Sequence, residues 1–325
     1  MLRTKLVTAV SLLLVSFFVA AGAIAQAYPE RSIRVVVPWP PGGGTDALAR
    51  IIAQEATIGL GQPVVVENKG GAGTIIGSNE VAKATPDGYT FGFPTQAFAV
   101  SALLQSNLPY DAKNDFVPVM LVGTGTYVLV INPSVPANTL PELVELLKQQ
   151  PEKFSAGFTG HGSPSHLGLV QFKRATNTSV AEVNYRGTGP AVSDLLGGHT
   201  QMMFTTLAGV LPHVKAGTLK VIAVTGQNRN DLLPDTPTAI EQGLKDFVVF
   251  EWYGVLAPKG TPREAIDRFN AEVKRVVALP AVQQKTSQMG IELGAGSTPE
   301  EFGDFLNNEM EKWGALIREA NIKLE

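Results

Sequence analysis

Short β-branched runs alternate with amphipathic ones along this chain. Residues 33–37 (IRVVV) and 64–67 (VVVE) read as strands, and residues 46–56 between them read as a helix with Leu48, Ile51 and Ile52 on one side. The turn KGGAG at 69–73 leads into a second helix through Val81, and DGYTFGF at 87–93 reads as a third strand after an Asp87-Gly88 turn. Residues 127–131, 221–224 and 248–255 read as further strands, with Pro133 and Pro136 marking a connection after the first of these. Such interleaving predicts an α/β fold with mostly parallel strands. Helix starts are legible from capping chemistry. Thr139 with Glu142, Thr261-Pro262 with Glu264 and Thr298-Pro299 with Glu301 have capping-box spacing, and Ser163-Pro164 reads as a cap followed by proline. No repeat, low-complexity segment or long linker divides the chain.

Two stretches carry candidate chemistry. VVVPWPPGGGTD at 35–46 and SAGFTGHGSPSHLG at 155–168 each run from a strand through glycines into a helix start. A helix N-terminus offers unpaired N–H donors and about half a positive charge, and glycine lets a ligand approach the backbone. Each loop alone reads equally as an ordinary βα turn. Together they could hold two ends of one anion. Gly42, Gly44 and Ala47 fit a loose dinucleotide fingerprint, with Glu67 twenty residues beyond Ala47. Against it stand Pro38, Pro40 and Pro41 in what should be a tight turn, and Asp46 beside the would-be pyrophosphate. No lysine follows the glycines, which excludes a phosphate-loop nucleoside triphosphatase.

Catalytic constellations are thin. The histidines are His161, His166, His199 and His213; the first two, five apart, would diverge on a helix. No H-E-x-x-H or G-x-S-x-G pattern occurs. His161, between two glycines, is a candidate donor to an anion, while His166 reads as a first-turn helix residue. No metal, cofactor or catalytic residue is expected, and an exported α/β enzyme is the weaker alternative.

Composition then sets the compartment. Arg3 and Lys5 precede an apolar run over residues 6–24, followed by A-x-A patterns ending at Ala25 and Ala27, so residues 1–27 read as a signal peptide. Its removal takes two of the 26 basic residues and none of the 29 acidic ones, leaving 24 against 29 and a net charge near −5. That balance, without a basic cluster, argues against nucleic acid. The chain has no cysteine, so disulfides and thiolate ligands are excluded.

In this order, YPERSIRVVVPWPPGGGTD, PVVVENKGGAGTIIG, LPYDAKNDFVPV, NYRGTGPAVSDLLGGHTQMMF and WYGVLAPKGTP resemble the substrate-binding proteins of tripartite tricarboxylate transporters, the Bug family. The resemblance spans the mature chain. It implies a periplasmic two-lobed binding protein, with a mixed, mostly parallel sheet in each lobe and two hinge crossings. The lobes would be residues 28–125 with 250–325, and residues 126–249. It further implies a monomer that closes on a small carboxylate and delivers it to membrane permease subunits, or alternatively serves as a co-receptor in signalling.

By the same resemblance the two glycine loops face each other. The implied ligand-binding residues are Trp39, Gly42, Gly43, Gly44, Thr45 and Asp46 on one side, Gly160, His161, Gly162 and Ser163 on the other, with Thr95, Thr188 and Thr205 on further loops. Asp46 is expected to order its own loop and cap the helix. Thr205 stands where many members carry aspartate, which weakens the case for an amino-acid ligand.

Overall fold

The computed structural model describes residues 28–319 except Ser106 and Glu152; the expected signal peptide lies outside them. The chain runs β1 (Ile33–Val37), α1 (Gly44–Leu60), β2 (Val64–Asn68), α2 (Ile75–Ala82), β3 (Thr90–Gly92), α3 (Gln96–Leu104) and β4 (Phe116–Ile131). It continues through α4 (Leu140–Gln149), β5 (Ser155–Phe158), α5 (Pro164–Thr176), β6 (Ala181–Asn184), α6 (Thr188–Leu196), β7 (Met202–Thr206), α7 (Leu207–Lys215) and β8 (Lys220–Val224). It closes with β9 (Phe250–Pro258), α8 (Arg263–Val277), α9 (Pro280–Ser287), β10 (Ile291–Leu293) and α10 (Pro299–Glu319). Among the described residues no helix is long and apolar enough to cross a membrane.

The strand order is β2-β1-β3-β9-β4-β7-β5-β6, with β8 and β10 also paired to β4. Two parallel trios sit at the ends: β2-β1-β3 and β7-β5-β6. The pairings of β4, β9, β8 and β10 are antiparallel. Up to Thr126, β4 pairs with β9; from Tyr127 onward it pairs with β7 and β8. One strand therefore belongs to both lobes. Its partner crossing lies alongside: Thr225 N donates to Tyr127 O, Val249 N donates to Thr225 O, and Phe250 opens β9 opposite Thr126.

The apolar runs Val35–Val37 of β1 and Trp252–Ala257 of β9 follow from burial on both sheet faces. Val35 and Val37 pack with Leu48, Phe91 and Phe269 on one face, while Val36 joins Phe98, Trp252 and Phe302 on the other. Leu129, Phe158, Phe172 and Phe204 make the corresponding core of the second lobe, with Val128, Leu195, Met203 and Val210 on its far face. A small cluster of Val100, Leu167, Trp313 and Ile317 joins α3 and α10 to α5 across the two lobes. Packing is tight at Gly254, where an added Cβ would overlap the Phe302 ring in the core. Gly254→Ala is expected to cost about 1–3 kcal/mol, the usual cost of overpacking, read as a lower denaturant midpoint.

Several local expectations need correction. The strand expected at 127–131 is the second part of a 16-residue strand. Pro118 and two glycines disguise its first part, where the pairing shifts at Pro118/Met120 and Leu121/Gly123. The strand expected at 248–255 lies at Phe250–Pro258, because Val249 belongs to the hinge crossing. Thr298 and Glu301 form the reciprocal box, Glu301 N to Thr298 Oγ1 at 3.1 Å and Thr298 N to Glu301 Oε2 at 2.8 Å. Thr139 accepts from Glu142 N at 3.3 Å, but the Glu142 carboxylate reaches Asn138 N, one residue upstream. Thr261 caps nothing. Its hydroxyl donates to Pro258 O (2.8 Å), and Pro262 itself takes the N-cap position.

Candidate functional site

In a parallel sheet, ligands collect where neighbouring connections leave a strand end in opposite directions. Each lobe has such a point. In the first trio β1 lies between β2 and β3, and in the second β5 lies between β6 and β7. The loops at these strand ends are residues 38–43 with 93–95, and 159–163 with the β7–α7 junction at 205–207. Nine of the thirteen residues the sequence singled out lie on them, while Gly44, Thr45 and Asp46 fall in the first turn of α1 and Thr188 opens α6. Thr95 and Thr205 occupy equivalent places at the ends of the third strand of each trio, both almost wholly buried.

The first loop is held open from beneath. Gly42 adopts φ +89°, and its N–H donates to Asp46 Oδ2 at 3.0 Å. Asp46 Oδ1 accepts from Arg50 Nε at 2.9 Å and from Asn68 Nδ2 at 3.0 Å. Asn68 also donates to Trp39 O. Burial works to raise the Asp46 carboxyl, but the bonds from Arg50, Gly42 and Asn68 outweigh it and hold the group below the ordinary aspartate value. Asp46 thus orders its own loop but, contrary to expectation, caps no helix N–H, since its oxygens are taken by Gly42, Arg50 and Asn68. Gly43 occupies the N-cap position without a side-chain cap. Among the described residues the N–H groups of Gly43, Gly44 and Thr45 find no backbone acceptor. Three converging donors at an uncapped helix end make an anion cradle. Trp39 flanks it, donating from Nε1 to Thr95 Oγ1 at 3.3 Å.

The second glycine loop is built differently. Ser163 caps α5 by accepting from His166 N at 3.2 Å, and Gly162 N donates to His166 Nδ1 at 3.1 Å. Accepting at Nδ1 puts the proton on Nε2, which faces Glu182 Oε2 at 3.4 Å. The bond from His166, reinforced by the Lys173 ammonium, holds Glu182 down at about 2 against its partial burial. Gly160 N donates to Asn184 Oδ1 at 2.9 Å, and Ser163 N to Gly160 O at 3.2 Å. Hence the backbone donors of Gly160, Gly162 and Ser163 are engaged within the second lobe. The loop presents the exposed His161 ring, 5.1 Å from that of His166. A Cβ on Gly162 would lie 2.2 Å from Leu104 Cδ1, so the loop abuts α3 of the first lobe. His166→Ala would strand the buried Gly162 N–H, while Glu182 keeps Lys173, and is expected to cost about 1–3 kcal/mol in urea unfolding.

What stands opposite the first cradle is the start of α7. A methyl placed on Gly44 would meet Ala208 Cβ at 3.9 Å. One placed on Gly209 would lie 3.0 Å from Thr188 Cγ2, 3.5 Å from Thr206 Oγ1 and 3.8 Å from Thr205 Oγ1. Both α6 and α7 begin without a side-chain cap, at Gly187 and Thr206. The structure therefore brings Gly43, Gly44 and Thr45 toward Thr188, Thr205 and Thr206. The histidine-braced loop closes another part of the crevice. Thr206, the bracing roles of Asn68, Asn184 and His166, and the buried Glu251 beside Thr95 were not legible in the sequence. Each depends on a partner distant along the chain, and no local motif marks it.

The profile of the tripartite tricarboxylate transporter family receptor matches residues 48–322. BugT of Bordetella pertussis is 34% identical over 324 residues, covering 99% of each chain. Among solved structures, R. palustris Rpa4515 with adipate is 30% identical with a TM-score of 0.86, covering 91% of this chain and 99% of that one. MatC from Rhodopseudomonas palustris with bound malate is 29% identical with a TM-score of 0.80, covering 89% and 100%.

Proposed function

This chain belongs to the tripartite tricarboxylate transporter receptor family, a family of solute-binding proteins and not of enzymes, and we propose that it is a periplasmic receptor that closes on a small dicarboxylate and delivers it to the membrane subunits of such a transporter. The carrying observation is the cradle of three unpaired N–H groups at Gly43, Gly44 and Thr45, opposed by the uncapped starts of α6 and α7. Neutral donors at helix ends stabilise a carboxylate strongly enough to select it, and release then breaks no buried ion pair. The bound adipate and malate of the two solved relatives support the ligand class. The segment 1–27 supports export. We place the lobe boundaries at 125/126, one residue before β4 changes partners, and at 249/250, where β9 begins. The Gly43–Thr45 cradle would bind one carboxylate, and Thr188, Thr205 and the α7 start the other, with Trp39, Thr95 and His161 walling the crevice.

The test is a thermal-shift panel of dicarboxylates, tricarboxylates, aromatic carboxylates and amino acids on protein refolded free of carried-over ligand. A ligand at a hundredfold excess over Kd is expected to add about 2.7 kcal/mol of stability. X-ray scattering with the same ligand should show a smaller radius of gyration. No shift with any organic anion would overturn the reading.

A further inference from the structure

Apart from Gln96 and Ser101, α3 is wholly apolar, and a helix of that kind must be covered on every side. Its faces go to different places. Phe98 joins Val36 and Trp252 in the core of the first lobe. Leu103 turns to α10, where a Cβ added to Gly314 would lie 3.5 Å from Leu103 Cδ2. Val100 and Leu104, one turn apart on a single face, meet the second lobe. A Cβ on Gly162 would stand 3.3 Å from Val100 Cγ1 and would overlap Leu104 Cδ1. Leu167, in the first turn of the helix that Ser163 caps, packs with Val100, Trp313 and Ile317 in the same cluster.

The two ends of α3 stand differently to the hinge. At its start Gln96 N donates to Glu251 Oε1 at 3.1 Å, and Glu251 is the second residue of β9, immediately after the chain crosses between lobes. Leu104 is eight residues on, about 12 Å along the axis at the usual helical rise. A rotation of the lobes about the crossing therefore displaces the Leu104 end far more than the Gln96 end. What Leu104 meets there is the crevice loop itself, whose Gly162 N–H is already held by His166. On the side of the first cradle the lobes offer only small groups to each other, Gly44 and Ala208.

We propose that Leu104 is a positioning residue for ligand capture: from the first lobe it braces the His161–Ser163 loop of the second, and it latches the crevice shut at the end of α3 remote from the hinge. This deepens, and rests on, the reading of the crevice as a receptor that closes on an anion. Apolar surface at Leu104 and Gly162 leaves water only when the lobes come together, so the contact favours the closed arrangement whatever the crevice holds. The apparent affinity of a ligand scales with the fraction of molecules in the binding-competent arrangement. The latch therefore multiplies the affinity of every ligand by one factor and leaves the choice among them to the cradles.

The test begins without ligand. The chain has no cysteine, so Lys83→Cys on the first lobe and Lys215→Cys on the second, both exposed, accept a pair of spin labels without background. Leu104→Ala is expected to move the distance distribution between the labels to longer values, and Leu104→Met, which conserves volume, to keep it where the wild type has it. Identical distributions in wild type and Leu104→Ala overturn the latch. Stopped-flow measurements with adipate follow. Leu104→Ala should release adipate about tenfold faster at an unchanged association rate, and every other carboxylate that the wild type binds should weaken by the same factor. Leu103→Ala removes the same groups from the contact of α3 with α10 inside the first lobe. It should lower the denaturant midpoint and leave the release rate alone. Equal release rates in the Leu103→Ala and Leu104→Ala proteins would mean general loss of packing, and overturn the proposal. Failure of every carboxylate to bind the wild type, with the ligand-free distances behaving as stated, defeats the receptor reading and leaves the latch standing.

Discussion

Gly44→Leu is expected to weaken dicarboxylate binding by about 100-fold, equivalent to about 2.7 kcal/mol, while leaving the protein at least as stable as before. Gly44 is the first residue of α1, and the space beyond its Cα is open up to Ala208. A Cβ there stands 3.9 Å from Ala208 Cβ, an ordinary contact, and the up to about 1 kcal/mol gained by replacing a helical glycine offsets the displacement that the longer leucine requires at the start of α7. The same side chain occupies the approach to the cradle from the α7 side. Thermal unfolding should therefore show an unchanged or raised Tm and no response to ligand. Retained affinity would move the site elsewhere. Gly162 is a poorer probe. At φ +75°, and with an added Cβ overlapping Leu104 Cδ1, any side chain there strains the backbone and disturbs the contact between the lobes.

Replacing Asp46 with alanine should damage both stability and binding. Three donors, Gly42 N, Arg50 Nε and Asn68 Nδ2, lose their common acceptor. Hydrogen bonds to a charged group are worth about 1.5–3 kcal/mol, and the exposed Arg50 recovers solvation, so a net loss of about 2 kcal/mol is expected. Gly42 loses the bond that fixes its left-handed conformation, and affinity for a carboxylate should fall with it. The pH dependence has a definite sign. A carboxyl held below its unfolded value contributes stability that is present above that value and lost as pH falls through the folded one. Acid unfolding of Asp46→Ala should lack this component. Denaturant midpoints through the acidic range measure it, and an unchanged acid limb would show that the carboxylate does not order the loop.

Asp46 illustrates how far sequence reasoning reaches. Its place after GGGT predicts a residue that orders its loop, and the structure supplies the partners: Gly42 four residues back, and Asn68 at the end of β2. The Ser163-Pro164 start was equally legible, because a cap lies within three residues of the N–H it accepts from. What escaped was the occupation of that second loop. Gly162 N–H looks free in the sequence, yet His166 Nδ1 takes it, and His166 is braced in turn by Glu182 from another strand.

The sequence by itself determined the alternation of strands and helices and both glycine loops, since each depends on residues within a few positions of one another, whereas the missing cap at Gly43 shows only in the structure. It also carried, through several motifs in order, the family resemblance. Only the tertiary structure decided which helix ends converge. Facing Gly44 with Ala208 requires β4 to pass from one sheet into the other, and long-range strand pairing leaves no local periodicity to read.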